Sequence, residues 1–300
     1  MNKNFKAYLM LILATLFWAG NFMVGKFAFF QDIPPFSLVF FRWIFVWLIL
    51  IPFTYKEIFK VKKKIFENIG LIILLGLTSV GLFNSFVYIS LNYTQVINAS
   101  LFNTAIPAAI ILLCYLFKIE KTNLFQLLGL IVSVLGVLVI ITKLNLNIII
   151  NLNFNVGDIW MIFAVASWGI YSAFLKKLKL KISLLSLVHI LCTFGLVFLF
   201  PQFIYEYNQE NIINLDKTFL YCLVFLAIFP SIGSYYCWAG AVSIIGPNRA
   251  GIFLSLIPLF STIMAIFFFD EKFQFYHFIG SILVIIGLIL ANKKIKYVKN

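Results

Sequence analysis

Long runs of apolar residues, separated by short polar segments, dominate this chain. A helix of about 20 apolar residues is long enough to cross the roughly 30 Å hydrocarbon core of a bilayer. The pattern therefore predicts an all-α integral membrane protein with ten transmembrane helices. We expect these spans at residues 8–30, 36–55, 69–91, 96–117, 124–142, 158–175, 184–205, 219–244, 247–269 and 275–291.

The apolar pattern occurs twice. A shift of 151 residues places Pro107 on Pro258 and Glu120 on Glu271. Each half then contains five spans, and because five is an odd number the two halves enter the membrane in opposite directions. The sequence therefore predicts two inverted five-helix repeats around a central cavity.

The repeat also predicts the domain organisation. We expect the first repeat at residues 1–143, an irregular linker loop at 144–156 and the second repeat at 157–300. Pro107 and Pro258 interrupt equivalent spans. A proline frees backbone carbonyl groups that lipid cannot satisfy, so these positions should face protein or a water-filled cavity. Interruptions at equivalent positions of two repeats indicate a transport site between them.

Composition and charge favour the same class of protein. The chain is 63% hydrophobic and 11% charged, whereas soluble domains carry about 25% charged residues. The net charge of +13 does not indicate nucleic-acid binding, because the basic residues lie in short loops. Eighteen Lys and Arg residues fall on one alternating set of loops and termini and three on the other, which places both termini in the cytoplasm. The four cysteines lie within apolar runs and lack the spacing of a disulfide framework or metal site.

Four stretches resemble a known family: FWAGNFMVGK at 17–26, IPPFSLVFFRW at 33–43, and the equivalent segments at 97–121 and 245–272 that each end in Glu-Lys. In these the chain resembles the drug/metabolite transporter superfamily, specifically ten-helix bacterial exporters built from two EamA-type domains. The resemblance implies a permease of the bacterial inner membrane that exports amino acids or related metabolites from a central cavity. It leaves open nucleosides, sugars, cofactors and xenobiotics as substrates, and import or exchange as the mode.

Polar side chains at helical spacing within spans are the candidates for a hydrated transport path. In the repeat, Tyr235 is equivalent to Asn84 and Ser255 to Thr104. The alternative is that such residues only hydrogen-bond between helices. The predicted cavity residues are Trp18, Asn21, Arg42, Asn84, Tyr88, Asn103, Thr104, Pro107, Trp168, Tyr171, Tyr235, Trp238, Ser255 and Pro258.

The charged residues restrict the chemistry of the substrate. All ten acidic residues fall in loops or at span ends, and buried carboxylates are what cation exporters and many proton-driven pumps use. We therefore expect neutral, zwitterionic or anionic substrates, with facilitative or exchange-like transport unless His189 participates. Arg42 either extends to the interface or binds a substrate carboxylate, whereas Lys26 is expected to extend to the interface. Glu120 and Glu271 are expected to anchor helix ends.

Two further patterns have structural interpretations. Trp18 needs a partner for its indole N–H, which Asn21 or a substrate would provide. The four glycines at 129, 136, 280 and 287 recur at a seven-residue spacing and predict close helix packing between repeats or between subunits.

Other functional classes fit less well. A membrane enzyme would need clustered histidines and carboxylates, but the chain has only His189 and His277, far apart. A channel is disfavoured by the inverted repeats. The sequence therefore predicts a transporter, not an enzyme, with the lipid bilayer and a small molecule as partners, no nucleic acid and no cofactor. It does not indicate the oligomeric state.

Overall fold

The computed structural model describes residues 3–30, 33–91, 93, 102–145, 147–151, 155–209, 216–268 and 274–293. Within these residues every regular element is a helix. In chain order they are α1 (Lys3–Phe30), α2 (Pro35–Lys60), α3 (Lys62–Glu67), α4 (Ile69–Gly76), α5 (Phe83–Leu91), α6 (Ile106–Leu116), α7 (Leu124–Thr142), α8 (Asn147–Ile150), α9 (Val156–Leu175), α10 (Leu184–Asn208), α11 (Lys217–Leu226), α12 (Ser234–Ile245), α13 (Pro247–Ile252), α14 (Leu256–Phe268) and α15 (Phe275–Ala291).

These helices confirm the predicted all-α membrane architecture. Seven helical stretches among the described residues are long and apolar enough to cross a membrane, and α6 and α15 are shorter apolar helices. With the 28-residue α1, they occupy the ten positions where hydropathy predicts spans. Large apolar side chains cover the outer surface, including Phe53, Tyr115 and Phe267, which are 72%, 71% and 77% exposed. A surface of this kind is compatible with lipid and not with water.

Helix packing relates the two repeats by a pseudo-two-fold axis. α2 packs along its equivalent α10, and α7 along its equivalent α15. The other main contacts come in equivalent pairs: α1 packs on α12 as α9 packs on α5, and α1 packs on α14 as α9 packs on α6. Each of these contacts joins one repeat to the other, so neither five-helix half forms a separate bundle.

Small residues bring α7 and α15 into backbone contact. A Cβ atom added at Gly129 would lie 2.5 Å from the carbonyl oxygen of Gly287, and one added at Gly136 would lie 2.7 Å from that of Gly280. Only glycine permits this approach at a helix crossing. Of the two packing interpretations of these glycines, the contact within one chain, between its repeats, is the one observed.

A feature that hydropathy did not predict interrupts the third and eighth spans. Residues Leu77–Leu82 form a π-helix between α4 and α5, and residues Ala227–Gly233 form one between α11 and α12. We call them the first and second π segments. They lie at equivalent positions of the two repeats. π-helical turns are rare in proteins, and many of those that do occur lie at functional sites.

The fourth and ninth spans are broken just before their prolines. A turn at residues 104–105 precedes α6, so Pro107 lies in the first turn of that helix. In the ninth span a 3₁₀ turn, Phe253–Ser255, separates α13 from α14, and Pro258 follows two residues after α14 begins. A first-turn proline removes an N–H that has no helical partner. The prolines thus mark helix starts at the interruptions.

Candidate functional site

Aromatic rings from both repeats meet where the sequence predicts the central cavity. Trp18 of α1 lies 5.2 Å from Trp168 of α9 and 5.5 Å from Trp238 of α12, measured between ring centroids. Tyr235 contacts Trp168 at 5.7 Å and Trp43 of α2 at 5.0 Å. Tyr171 completes the set at 5.2 Å from Trp168. These six side chains, which we call the aromatic cluster, pack in edge and tilted geometries that favour ring contacts.

Two members of the aromatic cluster hydrogen-bond the π segment of the opposite repeat. The hydroxyl of Tyr235 donates to the carbonyl oxygen of Ser79 at 2.9 Å, and the indole Nε1–H of Trp18 donates to that of Pro230 at 3.2 Å. Ser79 and Pro230 are equivalent under the 151-residue shift. The partner of Trp18 is therefore a carbonyl of the second π segment and not Asn21, one of the two partners considered from the sequence.

Arg42 points into the bundle beside the aromatic cluster. Its side chain is 4% exposed, its Nε donates to the hydroxyl of Ser231 in the second π segment, and its Nη1 donates to the Asn21 side-chain oxygen at 3.0 Å. The guanidinium carbon lies 5.3 Å from the centre of the Trp43 ring. In this conformation Arg42 therefore points inward and does not extend to the membrane interface, which was the other orientation considered from the sequence. A charge at this depth is costly and typical of transport paths.

The aromatic cluster contains donor groups that no described protein group accepts. They are Trp43 Nε1, Trp168 Nε1, Trp238 Nε1 and the Tyr171 hydroxyl. Each of these side chains is at most 4% exposed. Buried polar groups are nearly always hydrogen-bonded, so such a concentration of exceptions needs an explanation. Three of the four are indole donors that cannot accept, so a partner must bring acceptor atoms.

Asn84 lies next to this arrangement. Its side-chain nitrogen donates to the carbonyl oxygen of Val80 at 2.8 Å and to that of Ser79 at 3.3 Å. Asn84 and its equivalent Tyr235 thus reach the same carbonyl oxygen of the first π segment. Tyr88 follows on α5, but its side chain lies outside the described residues, as does that of Lys26.

The remaining candidates lie in the interrupted fourth and ninth spans. Thr104 lines a surface groove of about 340 Å³ between α6 and α7. Ser255 is buried in the 3₁₀ turn, and Asn103, like Pro258, is half-buried. Pro107 is buried at the start of α6. The described ring contacts and hydrogen bonds therefore bring together the candidates of spans 1, 2, 6 and 8, with Asn84 of span 3 beside them.

The acidic residues that the structure describes lie at helix ends, as the sequence predicts. Asp158 is in the first turn of α9, Asp216 is the N-cap of α11 and Glu206 is in the last turn of α10. The sequence predicts the same location for Glu271, which lies outside the described residues. His189 is buried beside Thr54, whose hydroxyl pairs with its Nδ1, and so lies between α2 and α10 and not within the aromatic cluster.

Glu120 has a more specific role than the expected helix-end anchor. Its carboxylate accepts from the backbone N–H of Asn248 at 3.4 Å and lies 3.5 Å from the ammonium of Lys176. It also packs against Gly246, whose φ of +85° favours glycine. A carboxylate at a helix N-terminus is stabilised by the unpaired N–H groups there. Glu120 therefore links the end of the fourth span to the first turn of α13 and to the first residue after α9.

Comparison with known proteins connects this arrangement to a family. The EamA-like transporter family matches residues 5–142 and again residues 155–293. A transporter of Archaeoglobus fulgidus is 30% identical over 292 residues, covering 97% of this chain and 99% of that protein. The transporter YyaM of Bacillus subtilis is 23% identical over 99% of this chain and 97% of its own length.

Two further similarities extend the comparison. A WAT1-related protein of Arabidopsis thaliana is 25% identical, covering 94% of this chain and 79% of its own length. A solved crystal structure superposes with a TM-score of 0.74 at 15% identity, covering 95% of this chain and 96% of the other. At that identity the superposition shows a shared fold alone.

Proposed function

Because this chain belongs to the EamA-like transporter family and is a membrane transporter, we propose that it exports small carboxylate-bearing metabolites, above all amino acids and related compounds. The aromatic cluster and Arg42 form its substrate site. Transport proceeds by alternating access, in which the inverted repeats exchange conformations.

The observation that carries this proposal is the set of buried donors without acceptors in the aromatic cluster. Trp43, Trp168, Trp238 and Tyr171 supply these donors. A substrate carboxylate has two oxygens with four lone-pair sites and supplies acceptors and no donor. Arg42 adds a positive charge that matches its negative one. The absence of a mid-span carboxylate from the sequence also favours zwitterionic or anionic substrates over cations.

The contacts between repeats support the proposed mechanism. Substrate entry requires the rings of the aromatic cluster to separate. Those rings are linked to the π segments through Ser79 and Pro230, so separation alters both π segments together. The Glu120 contact with Lys176 and Asn248 closes one end of the bundle in this conformation.

We also propose the membrane orientation and the repeat boundaries that the sequence predicts. Both termini lie in the cytoplasm of a bacterial cell, so the Glu120 end is the cytoplasmic one. The repeats are residues 1–143 and 157–300, joined by the external loop at 144–156. Ser255, Pro258 and their counterparts Thr104 and Pro107 line the path when the interrupted helices move.

A second candidate function is favoured by the aromatic composition of the cluster. Rings such as Trp18 and Trp168 can stack on flat substrates, so nucleosides, cofactors or aromatic xenobiotics are alternative cargo. These substrates would depend on the rings and not on the charge of Arg42.

The test separates the two candidates by substitution. Metabolites that accumulate in the medium of expressing cells identify compounds to assay in proteoliposomes. For carboxylates, Arg42→Gln should reduce transport at least about tenfold, because a charge-assisted hydrogen bond is worth about 1.5–3 kcal/mol. Arg42→Lys should recover part of that loss, and Lys177→Gln, at an exposed position, should transport normally. Normal transport of amino acids by a well-folded Arg42→Gln variant would refute the carboxylate site.

A further inference from the structure

A separate groove opens on the lipid-facing surface, away from the aromatic cluster. It has a volume of about 450 Å³ and lies between α2, α3 and α10. This volume is within the range of small-molecule sites. The groove is lined by Trp47, Ile51, Tyr55, Ile58, Phe59, Ile65, His189, Ile190, Thr193 and Phe194.

The polar groups at the base of this groove are satisfied by protein. The indole of Trp47 donates to the Thr193 hydroxyl at 3.0 Å, and Thr193 donates to the backbone oxygen of His189 at 3.0 Å. The ring of His189 pairs with Thr54. A molecule bound in the groove therefore contacts apolar side chains and does not have to supply hydrogen-bonding groups there.

Five exposed lysines lie in the same segment as the groove-lining residues Tyr55, Ile58, Phe59 and Ile65: Lys56, Lys60, Lys62, Lys63 and Lys64. Two of them pack on rings that line the groove. The ammonium of Lys62 lies 4.6 Å from the centre of the Phe59 ring, and that of Lys56 lies 5.7 Å from the centre of the Tyr55 ring. These two ammonium groups thus lie at the rim of the groove, and the other three lysines follow in the same segment.

Two acidic residues lie in the same segment and reduce this charge only in part. Glu57 accepts from the Ser183 N–H at 2.8 Å and from the hydroxyls of Ser183 and Ser186 at the start of α10, so its carboxylate is already hydrogen-bonded there. Glu67 is exposed at the end of α3. The lysines outnumber these carboxylates, so the rim is positively charged.

We propose that this groove binds one anionic phospholipid. An acyl chain occupies the apolar groove, and the phosphate lies among the lysines of the rim. The joint arrangement of an apolar channel and a basic rim fits a molecule with an apolar tail and an anionic head. A zwitterionic lipid would make the same apolar contacts in the groove but would gain no net attraction to the lysines, since basic residues next to the membrane attract anionic lipids selectively.

The chain provides a matched control for this site. Lys118, Lys121 and Lys293 are exposed lysines elsewhere in the chain, and the ammonium of Lys293 lies 4.8 Å from the centre of the Phe125 ring. None of the three lines the 450 Å³ groove or packs in the apolar cluster beneath it. Equal charge removal at the two sets of lysines therefore separates a lipid site from general attraction to a negative surface.

The test measures lipid retention by native mass spectrometry. Full-length protein is released from nanodiscs made of equal parts of phosphatidylglycerol and phosphatidylcholine. We expect one retained phosphatidylglycerol per chain in the wild type. The triple variant K62Q/K63Q/K64Q should lower its affinity on the order of a hundredfold, from about fivefold for each lysine. The control triple variant K118Q/K121Q/K293Q should retain it as the wild type does.

A third variant tests the groove with the lysines intact. Ile51→Trp places bulk in the groove and should also reduce retention, and exchange of phosphatidylglycerol for phosphatidylcholine should remove the retained lipid. Equal losses in both triple variants would overturn the proposal, because they would indicate attraction by net charge alone. Full retention in Ile51→Trp, or equal retention of the two lipids, would also overturn it.

Discussion

The hydroxyl of Tyr235 and the carbonyl oxygen of Ser79 lie 2.9 Å apart and join the two repeats through a π-helical turn. The equivalent carbonyl, that of Pro230, accepts from Trp18. A π segment disturbs the regular ladder of backbone hydrogen bonds, and in a membrane its carbonyl groups cannot turn to lipid. Each repeat therefore satisfies a carbonyl in the irregular helix of the other.

Removing the Tyr235 hydroxyl should destabilise this conformation. In Tyr235→Phe the oxygen of Ser79 loses this contact and keeps the longer one with the Asn84 side chain, at 3.3 Å. We expect a loss of about 1 kcal/mol, at the lower end of the cost of an unsatisfied buried group, measured as a lower midpoint of thermal unfolding in detergent. Tyr236→Phe is the control, because Tyr236 is 37% exposed. Equal midpoints for the two variants would contradict the role of the hydroxyl.

Alanine at Gly129 should be among the most damaging small substitutions in the chain. The added Cβ would meet the Gly287 carbonyl oxygen at 2.5 Å and the Ala291 nitrogen at 2.6 Å, both backbone atoms that cannot rotate away. Overpacking of this kind costs about 1–3 kcal/mol. Gly70→Ala is the matched control, since nothing lies within 4 Å of its added Cβ. It should raise the unfolding midpoint slightly through helix propensity, and a neutral Gly129→Ala would show that α7 and α15 can separate.

Glu120 and Lys176 should differ in their effects although they form one ion pair. The Lys176 side chain is 40% exposed and that of Glu120 18% exposed, so the pair alone contributes less than about 1 kcal/mol. Glu120 also accepts from the N–H of Asn248. Glu120→Ala should therefore lower the unfolding midpoint more than Lys176→Ala and should expose this end of the bundle. Faster maleimide labelling of the buried Cys114 thiol in Glu120→Ala alone is the expected readout; equal effects of the two substitutions would reduce the contact to a surface ion pair.

Glu206 should stabilise the opposite end of the bundle. It is 6% exposed, and its carboxylate accepts from the backbone N–H groups of Phe36 at 3.2 Å and Ser37 at 2.6 Å. The loss of such a cap costs about 0.5–2 kcal/mol. Glu206→Ala should lower the unfolding midpoint, while Glu67→Ala at an exposed site should not. Matching midpoints would show that α2 begins without help from α10.

The hydropathy and the internal repeat of the sequence were sufficient to predict the architecture. Spans are determined by apolar length, and inversion follows from an odd number of them, so both are readable without tertiary contacts. The helix breaks near Pro107 and Pro258 were also readable, because proline constrains the backbone locally. For the same reason the glycine pattern predicted close packing but could not identify its partner, since spacing specifies a face and not what lies opposite it.

The sequence predicted which residues form the candidate site, but not the hydrogen bonds that connect them. Trp18, Trp168 and Tyr235 are visible as large or polar residues within spans. The hydrogen bonds to Ser79 and Pro230 were not visible, because they involve backbone oxygens that every residue has. The π segments were missed because residues 77–82 and 227–233 have no composition that distinguishes a π turn from an α turn. The sequence predicts Glu120 as a helix-end anchor but does not indicate its partners, Lys176 and Asn248, because they come from the other repeat.

The backbone contact of α7 and α15 limits how the molecule can change shape. Glycine carbonyls there approach the backbone of the facing helix directly. A contact this close leaves little room for the two helices to slide past each other, because close-packed surfaces have few alternative arrangements. We therefore expect the crossing point to stay fixed during the proposed alternating access. The two repeats would then rotate about it, with displacements that grow with distance, and the ends of the other spans would open while α7 and α15 stay in place.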